Sequence, residues 1–191
     1  MVGTGRRNSH LMAIAPTATN STIAGGKTPA LENRFENKYE KKTKSGTFEV
    51  VEPALLKVLD RHDLHNPETL KSIKDNDGSV QHLPKLSDHE KLYLRTAFEV
   101  DQMWVVEHAA VAQEFVCQAI SVNLFFQPDV PRPYVNAVHF HMWKRGLKTR
   151  YYVRTKAVTS GDAFADKLVS KHQTIDYSKH ANFEACLACE G

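Results

Sequence analysis

Two cysteines near the end of the chain, Cys186 and Cys189, have a spacing suited to thiol chemistry. Thiols at this separation can close into a disulfide and reopen by exchange with another dithiol. Zinc is an alternative, and His172 and His180 could add ligands, although their spacing matches no common zinc module. Two idle surface thiols are the plainest interpretation, but we favour a redox-active pair. Cys117 lies in an apolar segment and is expected to be buried and inert.

A run of small and hydroxyl-bearing residues follows an apolar segment near the start of the chain. The run comprises Pro16, Thr17, Ala18, Thr19, Asn20 and Ser21. If a strand precedes the run and a helix begins at Ser21, several backbone amides point the same way at the positive end of the helix dipole. Such a loop could hold a phosphate, although an ordinary helix N-cap uses the same residue types. The run has no glycine-rich fingerprint, which excludes a Walker loop and a dinucleotide-binding turn.

Two adjacent tyrosines, Tyr151 and Tyr152, lie in a segment with strand character. Successive strand residues face opposite sides of a sheet, so the ordinary expectation is one ring in the core and one at the surface. Two phenols could instead relay an electron and a proton if both rings were stacked on one side. The residues alone favour the ordinary expectation.

Composition bounds the class of protein. A chain of 191 residues, 41% hydrophobic and 25% charged, is expected to fold as one domain. The net charge of +3 suits an anionic small molecule but is too weak to indicate a nucleic-acid groove. No apolar run reaches the ~20 residues of a membrane helix, and the first ten residues lack the apolar core of a secretory signal. Three cysteines make no disulfide framework, which favours a reducing, cytoplasmic location.

Apolar periodicity and capping signals predict an α/β chain. Strands are predicted at Leu11–Ala15 (buried), Phe115–Phe126 and Lys148–Thr155. Helices are predicted to begin near Leu31, at Pro53, at Pro67, at Pro133 and, after a capping box, at Ser87. The Ser87 helix is expected to run to about Ala112. Strand, helix and strand from 115 to 155 form one βαβ-sized unit of a parallel or mixed sheet.

Segments spread over most of the chain resemble the large (alpha) subunit of class I ribonucleotide reductase. The segments are Arg7–Ala18, Asn76–Leu83, Thr96–Trp104, Val122–Phe126 and Gly146–Tyr152, in the order that the family has them. The resemblance implies that residues 1–157 are the C-terminal portion of a ten-stranded α/β barrel, incomplete on its own. It implies that residues 158–191 are a flexible tail whose cysteine pair corresponds to the family's shuttle thiols.

The resemblance also implies roles for the three groups of residues. The loop from Pro16 to Ser21 would bind the diphosphate of a ribonucleoside diphosphate, and Tyr151 and Tyr152 would transfer a radical from the small (beta) subunit. Cys186 and Cys189 would re-reduce an active-site disulfide and be restored by thioredoxin or glutaredoxin.

Several parts of the family's machinery are missing from this sequence, including the finger loop with its thiyl cysteine. The resemblance therefore implies an N-terminal fragment of the alpha subunit as a partner, as in a split subunit, and activity only in that complex. No metal or cofactor is implied in this chain, because the metal-radical cofactor belongs to the beta subunit. We expect neither a nucleic acid nor a membrane as a partner. The alternatives are a non-catalytic remnant that keeps phosphate or beta-subunit contacts, and a regulatory zinc-bound tail.

Overall fold

The computed structural model describes residues 5, 7–25, 28–44, 46–156 and 175–180. Its helices and strands, in chain order, are α1 (Asn20–Ile23), β1 (Lys38–Thr43), β2 (Gly46–Val51), α2 (Pro53–Arg61), α3 (Pro67–Asp75), α4 (Asp88–Tyr93), α5 (Gln102–Gln113), β3 (Leu124–Phe126), α6 (Arg132–Lys144) and β4 (Val153–Thr155). Short 3-10 helices occupy Ala97–Glu99 and Tyr177–His180.

Three parallel segments form an open sheet in the described part of the chain. β3 pairs with β4 in the register Leu124 to Val153, and Ile14 bridges Ile120 just upstream of β3. The predicted strand–helix–strand unit is therefore confirmed, with strands shorter than expected. The described residues make a partial, unclosed portion of an α/β barrel, as the resemblance implied.

The middle segment of the sheet separates the main core from the candidate site. Val122, Leu124 and Phe126 are buried against α5 and α6, where Val106 and Val138 complete the cluster. The residues between them point to the opposite face because side chains alternate along a strand. This alternation leaves a polar and aromatic surface on that face, away from the helices.

A second apolar cluster supports the helical layer formed by α2 and α3. Leu55, Leu59 and Ile73 are fully buried there. Both helices begin at the predicted prolines, and the side chain of Asn66 caps α3 by accepting the Thr69 amide at 2.8 Å. Proline in the first helical turn has no amide hydrogen to leave unpaired, so these starts depend only on local sequence.

The predicted helix near Leu31–Tyr39 is wrong. This region instead enters the antiparallel hairpin of β1 and β2, in which Lys38 is opposite Val51. The ring of Tyr39 also packs on Phe35 with centroids 5.0 Å apart. Cross-strand pairing within this hairpin therefore overrides the preference for helix.

The predicted long helix from Ser87 to Ala112 is divided into two. The capping box at Ser87 is present, but α4 ends at Tyr93. Glu99 accepts the Thr96 amide at 2.8 Å, and Asp101 then accepts the Met103 amide at 3.0 Å to begin α5. These two local caps satisfy the backbone groups that a continuous helix would have used.

The predicted burial of Leu11–Ala15 is also wrong. Leu11 and Met12 are 61% and 57% exposed, and Ile14 alone makes a strand bridge. This segment pairs with a neighbour at one edge, and no described layer covers its other side. Its apolar residues therefore remain at an open sheet margin.

Candidate active site

A cavity of about 1100 Å³ lies along the parallel segments and extends past their carboxyl ends. Pro16 and Ala18 line it from the loop that follows Ile14, and Gln127 and Asp129 line it from the loop after β3. Residues 151–156, around β4, form a further wall. Ligands of open α/β sheets bind at this end of the strands, because the loops there converge on one crevice.

The rings of Tyr151 and Tyr152 contact each other in a tilted arrangement at the wall of this cavity. Their ring centroids are 4.1 Å apart with an interplanar angle of 53°. Tyr151 and Tyr152 are 44% and 48% exposed, so the expectation of one buried and one outward side chain is wrong. The hydrogen bond to Tyr152 raises the pKa of Tyr151. The guanidinium of Arg154 lies 5.2 Å from the centre of the Tyr152 ring.

A bulge in the sheet explains how the rings of two adjacent residues come into contact. The amide of Tyr151 donates to the carbonyl of Val122, whereas the carbonyl of Tyr152 accepts from Leu124. Two residues thus stand opposite the single residue Asn123, which is the definition of a β-bulge. The extra residue interrupts the alternation of side chains and brings both phenols to one side. The amide of Tyr152, left out of the ladder, donates to Asn123 Oδ1 at 3.1 Å.

The loop from Pro16 to Ser21 uses its hydroxyl groups internally. Thr17, with φ of 49°, accepts the Ala30 amide on Oγ1 at 2.9 Å, and Ser21 Oγ donates to the Ala18 carbonyl at 3.0 Å. Among the hydrogen bonds of the described residues, none has the amide of Ala18, Thr19 or Asn20 as donor. The loop thus presents backbone donors beside the cavity, although α1 behind it has only four residues.

The cysteine pair, Cys186 and Cys189, lies outside the described residues. Within the tail, Tyr177 packs on Tyr134 of α6 with ring centroids 4.7 Å apart. Cys117 is exposed rather than buried. Its sulfur is held at 3.1 Å by the amides of residues 11 and 12, and these backbone hydrogen bonds lower the pKa of the thiol.

Asn123, Glu32 and Arg154 complete the surroundings of the tyrosine pair, and sequence reasoning assigned none of them a role. Asn123 is a polar residue within the apolar run from 120 to 126, a pattern that can mark a site. Glu32 and Arg154 carry no comparable local signal, because their positions depend on residues far away in the chain.

The described ranges contain neither a metal-binding cluster nor a membrane-spanning helix. No group of three or more histidine, cysteine, aspartate or glutamate side chains there could hold a metal ion. Within the same residues, every helix is too short or too polar to cross a bilayer.

Comparison with known proteins assigns the chain to a family. Residues 1–153 match the family described as ribonucleotide reductase, barrel domain. The chain is 41% identical over 174 residues to the large subunit of ribonucleoside-diphosphate reductase of Invertebrate iridescent virus 6, covering 89% of this chain and 18% of that protein. It is 36% identical over 179 residues to the large chain of the Schizosaccharomyces pombe enzyme, covering 93% and 22%.

A solved structure gives the same assignment. The class Id ribonucleotide reductase alpha subunit of Actinobacillus ureae matches with a TM-score of 0.71 and 36% identity, over 80% of this chain and 28% of that one. The chain therefore spans less than a third of each of these relatives. The extent of the family match, together with the open parallel sheet and its loops, establishes that this chain belongs to the ribonucleotide reductase barrel-domain family.

Proposed function

We propose that this chain supplies the diphosphate loop and the tyrosine relay of a ribonucleoside-diphosphate reductase. It would act together with the rest of an alpha subunit and with a beta subunit, reducing ribonucleoside diphosphates to deoxyribonucleoside diphosphates. The observation that supports this most strongly is the close contact of the Tyr151 and Tyr152 rings beside the cavity that the loop also lines.

The tyrosine geometry suits transfer of a radical. A phenol that is oxidised gives up an electron and, because its cation is strongly acidic, a proton as well. Ring centroids 4.1 Å apart allow the electron to pass from one phenol to the other. Both tyrosines are exposed, so a side chain of the beta subunit could approach them. The oxidising equivalent would originate in a metal-radical cofactor of that subunit.

The loop from Pro16 to Ser21 suits the diphosphate end of the substrate. The amides of residues 18–20 have no acceptor among the described residues, and anions bind readily to such backbone donors. The cavity volume of about 1100 Å³ also accommodates a ligand the size of a nucleotide.

Replacement of Tyr152 by phenylalanine tests the relay. Phenylalanine keeps the ring but has no phenolic hydrogen to lose, so turnover of nucleoside diphosphate by the assembled reductase should stop while assembly is unaffected. Tyr93→Phe is a matched control, since Tyr93 is an exposed tyrosine at the end of α4. Near-normal turnover of the Tyr152 variant would remove the radical role and leave a non-catalytic binding module.

The tail cysteines would re-reduce the active site and be restored by thioredoxin or glutaredoxin in a reducing, cytoplasmic compartment. Replacing Cys186 and Cys189 by serine should block turnover with thioredoxin but spare turnover with a small dithiol that enters the site directly. Cys117→Ser, which removes an exposed thiol elsewhere, should retain turnover with both reductants. Loss with both reductants in the tail variant would indicate a structural role instead.

A further inference from the structure

A short part of the C-terminal tail packs against α6. Ile175 is 7% exposed, and the ring of Tyr177 packs on the main core beside Tyr134, with the two rings edge to face. Asp176 accepts the amide of Ser178 at 3.1 Å and its hydroxyl at 2.6 Å, which stabilises the start of the short 3-10 helix. One apolar side chain and one aromatic ring thus hold this segment on the folded domain.

Buried hydrogen bonds fix the ring on which this segment rests. Tyr134 is 2% exposed, and its hydroxyl donates to Asp101 at 2.6 Å and accepts the backbone amide of Gln102 at 2.8 Å. The side chain of Gln102 in turn accepts the amide of Phe125 in β3 at 3.0 Å. The position of the Tyr134 ring is therefore set by both α5 and β3.

The same segment lies at the end of the sheet past which the cavity extends. Phe126 is the last residue of β3, and its ring centroid is 6.0 Å from that of Tyr134. Asp129, in the loop between β3 and α6, lines the cavity only five positions before Tyr134. The contact of Tyr177 with Tyr134 therefore holds the tail beside the cavity.

We propose that residues 175–180 are an anchor that confines the tail cysteines to the neighbourhood of the cavity, with Tyr177 as its positioning residue. This inference rests on the function proposed above for Cys186 and Cys189. Cys186 lies nine positions beyond Tyr177, and nine extended residues span at most about 30 Å. This tether is long enough to cross a cavity of about 1100 Å³ and too short to carry the thiols far from it.

The anchor determines how often the thiols meet an active-site disulfide of the assembled subunit. In that exchange the tail dithiol transfers two electrons and two protons and becomes a disulfide, which thioredoxin or glutaredoxin reduces again. Without the anchor, the tether would begin at Lys156, which is 30 positions before Cys186. The effective concentration on a flexible tether falls roughly as the −3/2 power of its length, so release of the anchor should lower it about sixfold.

Disulfide formation within the full chain measures this effective concentration without turnover. Thr155→Cys introduces a thiol at an exposed position of the cavity wall, and Cys117→Ser with Cys189→Ser leaves Cys186 as its partner. The equilibrium of this disulfide with glutathione gives the effective concentration of the tail thiol at the cavity. We expect Tyr177→Ser to lower it about sixfold.

Three further variants separate the anchor from other effects of the substitution. Tyr177→Phe keeps the ring on Tyr134 and should match the wild type. Lys179→Ser is the matched control, because Lys179 belongs to the same 3-10 helix but its side chain is 75% exposed. Ile175→Ser removes the other buried side chain of the anchor and should lower the effective concentration as Tyr177→Ser does.

Fluorine NMR reports the ring contact itself. Fluorotyrosine at position 134 should give a resonance that shifts with Tyr177→Ser, because the neighbouring ring is lost. The resonance should remain near its wild-type position with Tyr177→Phe and with Lys179→Ser.

Turnover of the assembled reductase tests the role of the anchor in catalysis. Tyr177→Ser should lower kcat with thioredoxin severalfold, by at most about sixfold, because each reduction requires the tail thiols. Turnover with a small dithiol that enters the site directly should change by less than about twofold.

Three results would overturn the proposal. They are an effective concentration unchanged in both Tyr177→Ser and Ile175→Ser, an unchanged kcat with thioredoxin in Tyr177→Ser, and an equal loss of turnover with both reductants. Absence of turnover in the wild-type assembly would instead refute the proposed function. In that case the disulfide equilibrium of the full chain would still decide whether residues 175–180 anchor the tail.

Discussion

Among the described glycines, Gly78 is the position at which one added methyl group should disturb the scaffold most. It has φ of +73°, and an added Cβ would lie 2.7 Å from Glu36 Cβ, 2.8 Å from Asn37 N and 2.9 Å from Glu36 Cα. The Asn37 amide also donates to the Gly78 carbonyl at 3.3 Å, and its side chain donates to the same oxygen at 3.0 Å. The two backbone segments therefore cannot separate without losing these hydrogen bonds.

The expected loss of stability for Gly78→Ala has two parts. Placing a residue other than glycine in the left-handed region costs about 1–2 kcal/mol. Relieving contacts below 3.0 Å requires backbone movement, which costs roughly a further 1–3 kcal/mol. Gly146→Ala separates the two parts, because Gly146 has φ of +75° but no atom within 4 Å of an added Cβ. Only the first cost of about 1–2 kcal/mol should apply there.

Urea denaturation of the full chain, followed by circular dichroism, measures both variants in the same way. We expect Gly78→Ala to lower the free energy of unfolding by at least about 1 kcal/mol more than Gly146→Ala does. Equal losses would show that the close approach of residues 36 and 37 to Gly78 contributes nothing, and would refute the reasoning.

Two further predictions concern single side chains. Tyr134→Phe should lower the free energy of unfolding by about 1–3 kcal/mol in the same assay. The lost hydroxyl accepts the buried backbone amide of Gln102 at 2.8 Å and donates to Asp101 at 2.6 Å. An unchanged free energy of unfolding would contradict this. Hydrogen bonds from His62 and from the Ser87 cap lower the pKa of Glu90 from 4.5 to about 2. Because the pKa of Glu90 is lower in the folded state, its ionised carboxylate stabilises the fold above pH 4.5, and this contribution is lost as the pH falls toward 2. Between pH 4.5 and 2, the melting temperature of the wild type should therefore fall more steeply than that of Glu90→Gln. Equal slopes would contradict the contribution of the hydrogen bonds from His62 and Ser87 to Glu90.

Features with a local physical cause were predicted well from the sequence. α2 and α3 begin at Pro53 and Pro67 because proline suits the first helical turn, and α6 stops before Gly146, whose positive φ ends it. The division of the Ser87 helix was missed because apolar spacing continues across the break, although Asp101 is a recognisable cap. The hairpin of β1 and β2 was missed because its first strand, Lys38–Thr43, is almost entirely polar and lacks the apolar alternation that marks a strand.

The sequence by itself determined the family, through motifs spread in order along the chain, and it identified the loop residues and the two tyrosines. Only the tertiary structure decided that those tyrosines face the same side. The contact between their rings requires a bulge, and a bulge exists only in relation to the register of a neighbouring strand. The same holds for Glu32 and Asn123, which are 91 positions apart in the chain. A buried hydrogen bond over that distance is made by packing, so no local pattern of residues could have predicted it.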